Sequence, residues 1–321
     1  RVDQVQFVAR LTEQTQRWPT SIPTWSVLLQ ARVLAGDSNA AARDASRLMQ
    51  SVDEPAAMEL ASRVFASIGQ STSARSAAVR WREQTPGNPI PADVQLATLD
   101  IDAGSFAQAL RTLTPHLDAI LAAEPPDPYA ARAAALAIVS AGTAQQQDRL
   151  AAKAGEQADW AIAAAEAGAR LPDAAAASRW LERLDGDTPD QRAALALAQA
   201  WVVLGERTGT AIHAERATRI IASRPWDASR VGTARRLEGG ALRLLGRLDD
   251  SEAAFRAALQ ADPNDWGAAG ALAEVLLEGG RPENAMREAA RLQALVLGDP
   301  TAPSLARQTS ADLLARCQIA E

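Results

Sequence analysis

Apolar and small residues stand at fixed distances from a series of glycines along this chain. Eight positions before Gly36, Gly69, Gly104, Gly142, Gly168, Gly205, Gly246 and Gly280 come Leu28, Ala61, Leu96, Ala134, Trp160, Leu197, Glu238 and Leu272, apolar at every place but Glu238. The residue after each is small in every case but the first: Leu29, then Ser62, Ala97, Ala135, Ala161, Ala198, Gly239 and Ala273. Five positions beyond each glycine stand Ala41, Ala74, Ala109, Gln147, Asp173, Thr210, Ser251 and Ala285. Two helices approach closely only where a small side chain meets a larger one. The pattern therefore predicts antiparallel helix pairs joined at glycine corners, with Gln147 and Asp173 fitting least well.

The spacing is that of a repeat. A step of 34 carries Gly246 to Gly280, Leu242 to Leu276 and Gly239 to Ala273. Helix-stopping Pro86 and Pro263 close two of the pairs. Residues 20–123 and 226–300 read as regular repeats, whereas 124–225 read as irregular ones, interrupted at Glu124-Pro125-Pro126-Asp127-Pro128 and at Asp185-Gly186-Asp187-Thr188-Pro189. Residues 1–19 read as the trailing helix of an incomplete repeat, and the chain as a fragment of a longer solenoid. Residues 301–321 read as a capping helix that shields the last apolar face.

Composition strengthens the helical reading. Hydrophobic residues make up 47% of the 321 residues but aromatics only 4%, an Ala- and Leu-rich balance that favours helix over sheet. A net charge of −6 would repel a phosphate backbone, so no nucleic-acid partner is expected. Apolar stretches fall short of the roughly 18 residues that cross a bilayer, so no membrane insertion is expected. Cys317 is the single cysteine, which rules out an intrachain disulfide. The compartment stays open between cytoplasm and periplasm, and the oligomeric state is not readable.

The phased residues resemble the tetratricopeptide-repeat family in its degenerate bacterial form. Trp25, Leu28 and Ala41 carry the resemblance, as do Phe65, Ala74, Ala78, Trp81 and Pro86. So do Leu96, Ala97, Phe106 and Ala109; Gly239, Phe255, Ala258 and Pro263; and Leu272, Ala273 and Ala285. The resemblance implies an all-α, right-handed α-solenoid of about eight antiparallel helix pairs with no sheet, a single solenoid over 1–321. It also implies a scaffold or adaptor that holds a peptide or partner protein in a concave groove. A ligand-responsive sensor, with a pocket lined by Trp160, Trp180 and Trp201, and the helical part of a larger enzyme are the alternatives.

No catalytic signature competes with that reading, and no cofactor is expected. Lys153 lies between alanines, without a phosphate loop. His116 and His213 lack the spacing of paired metal ligands. Asp185 and Asp187 read as a capped turn rather than a calcium loop, because Pro189 occupies a ligand place. Ser71 reads as the start of a second helix, and the eight tryptophans chiefly as packing residues.

By analogy with the family, groove residues lie about ten and six positions before each corner. This selects Gln30, Arg63, Thr98, Arg132, Gln199, Arg236 and Glu274, with Arg243 on the face of Arg236. The same rule also reaches Leu136, Leu195 and Gly270. Amides, isolated arginines and aliphatic residues on such a face suit a bound peptide. One branch of the family grips a partner's terminal carboxylate with lysines and asparagines, and the inferred face contains neither.

Overall fold

The computed structural model describes residues 2–185, 190–298 and 304–320, and among these every regular element is helical. The α-helices are α1 (Val2–Arg17), α2 (Ile22–Leu34), α3 (Ser38–Ser51), α4 (Pro55–Ser67), α5 (Ser71–Gln84), α6 (Ile90–Asp102), α7 (Phe106–Leu113), α8 (Leu117–Ala122), α9 (Pro128–Ala141) and α10 (Ala144–Glu156). They continue as α11 (Ala158–Arg170), α12 (Ala174–Leu184), α13 (Gln191–Thr208), α14 (Ala211–Ala222), α15 (Val231–Leu244), α16 (Leu248–Ala261), α17 (Trp266–Glu278), α18 (Pro282–Gly298) and α19 (Ser304–Ala320).

Packing divides the chain into two compact units, Arg1–Leu150 and Ala151–Glu321. Within the first, α2 packs on α3, α4 on α5 and α6 on α7, and the first helices α2, α4, α6 and α9 touch in succession. Within the second, the hairpins are α11–α12, α13–α14, α15–α16 and α17–α18, and α11, α13, α15 and α17 form the corresponding row. The terminal α19 lies against α17 and α18, where Leu313 and Cys317 are buried with Leu272, Leu276 and Leu292. Each unit is thus a run of stacked helical hairpins, the all-α solenoid that the repeat implies.

The corners have a common construction. At Gly246 the backbone turns left-handed (φ 72°). Its N–H donates to the Arg243 carbonyl, while the Arg247 N–H donates to that of Leu242. This closing motif satisfies carbonyls the helix end leaves free. It recurs at Gly36, Gly69, Gly104 and Gly280. The starts are fixed by proline at the first or second position of α2, α4, α6 and α9. Aspartate caps do the same work elsewhere, such as Asp265 Oδ1 accepting from the Ala268 N–H at 2.9 Å.

The small residues flanking the corners face each other across the hairpin. Ser62 Oγ donates to the Ala74 carbonyl at 2.9 Å, and Ser251 Oγ donates to the Gly239 carbonyl at 2.7 Å. The hydroxyl has changed sides but joins the same two positions, seven before and five after the corner. All four residues are buried.

Two expected corners are corrected, and a third, between α9 and α10, is built differently. Gly142 caps α9 with an extended backbone (φ −75°, ψ 157°). Gly168 and Gly205 lie inside α11 and α13. Both are places of close approach: a Cβ on Gly168 would come within 2.5 Å of the Trp180 ring, and one on Gly205 within 3.0 Å of Leu244. The corner between α13 and α14 is Gly209 (φ 65°), closed by its own N–H donating to the Gly205 carbonyl at 2.8 Å. Residues 186–189, which hold most of the turn read from Asp185 to Pro189, lie outside the described residues.

Candidate functional site

A first helix buries one face against its partner and its neighbours in the row, and what it does not bury is free to line an opening. In the second unit, α13 presents Gln199, Val203 and Glu206 at helical spacing. The next first helix, α15, presents Arg236, Gly240 and Arg243, and α17 presents Gly267, Ala271 and Glu278. These three stripes border one open trough of about 630 Å³, with Leu237 and Phe255 in its lining.

Both arginines of the middle stripe are held from α17 and its cap. Arg236 Nε lies 3.1 Å from Asp265 Oδ2. Arg243 Nε donates to both carboxylate oxygens of Glu278 at 3.0 Å, and its Nη1 pairs with Glu274. These side chains are therefore not isolated, as the sequence reading had them, but braced across consecutive repeats. Glu206 differs from the other carboxylates here in having no hydrogen bond or ion pair among the described residues. Burial pushes its carboxyl above the usual range; Arg243 pulls it down and Glu274 pushes it up, and the upward influences prevail.

The first unit has a trough of about 640 Å³, bordered by Arg63, Val94, Gln95, Thr98 and Tyr129. Arg63 pairs with Glu59 at 2.7 Å within α4, and its guanidinium lies 5.7 Å from the centre of the Tyr129 ring. The Thr98 hydroxyl donates to the Val94 carbonyl of its own helix at 2.8 Å. Tyr129 is 70% exposed, so its ring is available to a guest.

Of the residues selected from the sequence, Arg63 and Thr98 border the first trough, and Gln199, Arg236 and Arg243 the second, with Glu274 behind Arg243. Gln30 and Arg132 are exposed on α2 and α9 but border neither trough. Leu136 and Leu195 are buried: α9 ends at Gly142 in an extended cap rather than a left-handed corner, and Gly205 lies inside α13. Gly270 is buried too, where a Cβ would meet Leu292 at 3.4 Å. Counting ten and six positions back from Gly209 gives Gln199 and Val203, and one further turn of helix gives Glu206. The missed residues were therefore within reach of the same rule, given the right corner.

Trp160, Trp180 and Trp201 border neither trough. All three are buried, and the Trp180 indole donates to the Ala164 carbonyl at 2.8 Å. His116 Nε2 lies 2.9 Å from Oδ2 of buried Asp93, which Arg82 approaches from the other side at 3.0 Å. His213 stacks on Trp201, ring centres 5.4 Å apart. Among the described residues no three His, Cys, Asp or Glu side chains gather as a metal ion requires, and no helix is long and apolar enough to cross a membrane.

Residues 242–308 match the family model described as tetratricopeptide repeat. No curated protein matches the chain. Among solved structures, the chain is similar to one in the APC/C hetero-tetramer Cut9-Hcn1, at 16% identity and a TM-score of 0.40, covering 98% of this chain and 52% of that one. It thus spans about half the length of that relative. It is also similar to a tetratricopeptide repeat protein from Parabacteroides merdae, at 14% identity and a TM-score of 0.41, covering 81% of this chain and 97% of that one. A third likeness is to the TPR2AB-domain:pHSP90 complex of yeast Sti1, at 13% identity and a TM-score of 0.34, covering 82% and 98%.

Proposed function

We propose that this chain, whose residues 242–308 match the tetratricopeptide-repeat model, is a scaffold that holds a polypeptide segment of a partner protein against its rows of first helices. The observation that carries the reading is that each unit leaves a trough of more than 600 Å³ bordered by first-helix residues. Such openings admit several side chains of an extended or helical peptide. The trough walls combine aliphatic surface with amides and ion-paired groups, the mixture a peptide needs for apolar anchoring and for its backbone hydrogen bonds. Nothing in this arrangement calls for a reacting group, and the role is one of binding.

A photo-crosslinking amino acid placed at Thr98 or Gln199, in the troughs, tests this against one placed at exposed Ser46 or Gln260 on second helices. In cell extract, the trough positions are expected to capture discrete polypeptides and the second-helix positions to capture none of the same. Equal capture from both faces, or none from the troughs, overturns the reading.

A further inference from the structure

We propose that the trough of the second unit takes a basic side chain, arginine or lysine, presented by a partner peptide between aliphatic residues. The inference rests on the scaffold reading and specifies the chemistry of the guest.

Charge complementarity is the first support. The two arginines of the trough are matched by Asp265, Glu274 and Glu278. Adding Glu206 makes four carboxylates against two guanidinium groups, a local excess of two negative charges. A carboxylate guest would have to break the paired hydrogen bonds between Arg243 and Glu278, and would meet Glu206 besides. A cationic guest breaks nothing and supplies a partner to Glu206, the one carboxylate of the trough without a hydrogen bond or ion pair among the described residues.

Space is the second support. Gly239 and Gly240 are adjacent in α15, but the fold needs only one of them. A Cβ on Gly239 would press on the Phe255 ring at 2.9 Å, whereas a Cβ on Gly240 would meet only Val202 Cγ1, at an ordinary 3.5 Å. Gly240 borders the trough between Arg236 and Arg243, so its missing side chain leaves the middle stripe open. The aliphatic wall of Val202, Val203 and Leu244 would cover the stem of a long basic side chain, which carries its charge at the end of a methylene chain.

The test is a selection on the whole protein from a random library of peptides of about twelve residues. Selected peptides are expected to carry arginine or lysine flanked by leucine, isoleucine or valine. The best of them should bind Glu206→Gln about tenfold more weakly, while the unfolding temperature stays the same or rises, an outcome that a merely structural carboxylate would not give. Gly240→Leu, which fills the opening, should weaken the same peptide; should that variant fail to fold, Glu206→Gln decides alone. Enrichment of acidic peptides, or a basic peptide bound equally by Glu206→Gln, overturns the inference while leaving trough crosslinking, and so the scaffold reading, intact. Failure to select any peptide overturns it as well, and joint loss of crosslinking overturns both.

Discussion

Gly239 and Gly240 sit in the interior of α15, where glycine is less favourable than alanine by about 1 kcal/mol because the unfolded chain loses more freedom on becoming helical. At Gly239 that cost is offset by packing: Phe255 occupies the space a methyl group would need, and the Gly239 carbonyl accepts the buried Ser251 hydroxyl. At Gly240 nothing comparable is gained inside the chain. Alanine substitutions at the two neighbours should therefore have opposite effects. Gly240→Ala is expected to stabilise by about 0.5–1 kcal/mol. Gly239→Ala is expected to destabilise by about 1–3 kcal/mol through overpacking. Chemical denaturation of the two variants beside the parent chain measures both, and the same sign for the pair would mean that the Phe255 approach is not what holds Gly239.

At the scale of elements, helix identity and most corners are legible in the sequence because one backbone solution is used five times. Gly36, Gly69, Gly104, Gly246 and Gly280 each close their helix with the same two backbone hydrogen bonds, so small residues on either side keep constant offsets. Between α9 and α14 other solutions are used, and the phase is lost: an extended cap at Gly142, a turn at Leu171 without glycine, and a single-bond corner at Gly209. There glycine serves close packing inside helices as well as turning, and sequence spacing does not separate the two uses. The trough was legible only in part for the same reason, since Glu206 and Val203 are counted correctly from Gly209 but not from Gly205. Salt bridging of Arg243 was not legible, because it depends on how α15 meets α17. The α13–α14 pair also carries a pH response. His213 on α14 is buried against Trp201, and its pKa is lowered, first by burial and then by Arg216, with Glu182 opposing. The unfolded chain takes up this proton near 6.5, the folded chain only at lower pH. Below 6.5 the unfolded state thus binds more protons, and stability falls with pH until the folded pKa is reached. Unfolding temperatures recorded between about pH 7.5 and pH 5.5 should show this fall, and His213→Gln should reduce its slope.

At the scale of the whole molecule, arginine joins neighbouring repeats. Arg243 reaches Glu278 across 35 residues, Arg216 reaches Glu182 across 34, and Arg149 reaches Asp118 across 31, each close to one repeat in length. Exposed pairs of this kind contribute about 0.2–1 kcal/mol each, so their importance lies in orienting adjacent hairpins and in setting which charges remain unmatched. What remains is acidic: the chain carries a net charge of −6, and the second trough has an excess of the same sign. The long-range field and the local site therefore favour the same class of guest, and the two contributions are separable by kinetics. Salt screens the field over a Debye length of about 10 Å at 0.1 M, but acts less on a guanidinium seated beside Glu206. Raising salt from about 50 to about 500 mM should slow association of a selected basic peptide severalfold and change its dissociation much less. Glu206→Gln should do the reverse, removing one of many charges from the field but the closest one from the bound cation, so that the peptide leaves faster and arrives at nearly the parent rate. Stopped-flow mixing of the peptide with the two proteins at both salt concentrations resolves these rates. An effect of Glu206→Gln confined to association would place the carboxylate in the general field and outside the seat of the bound side chain.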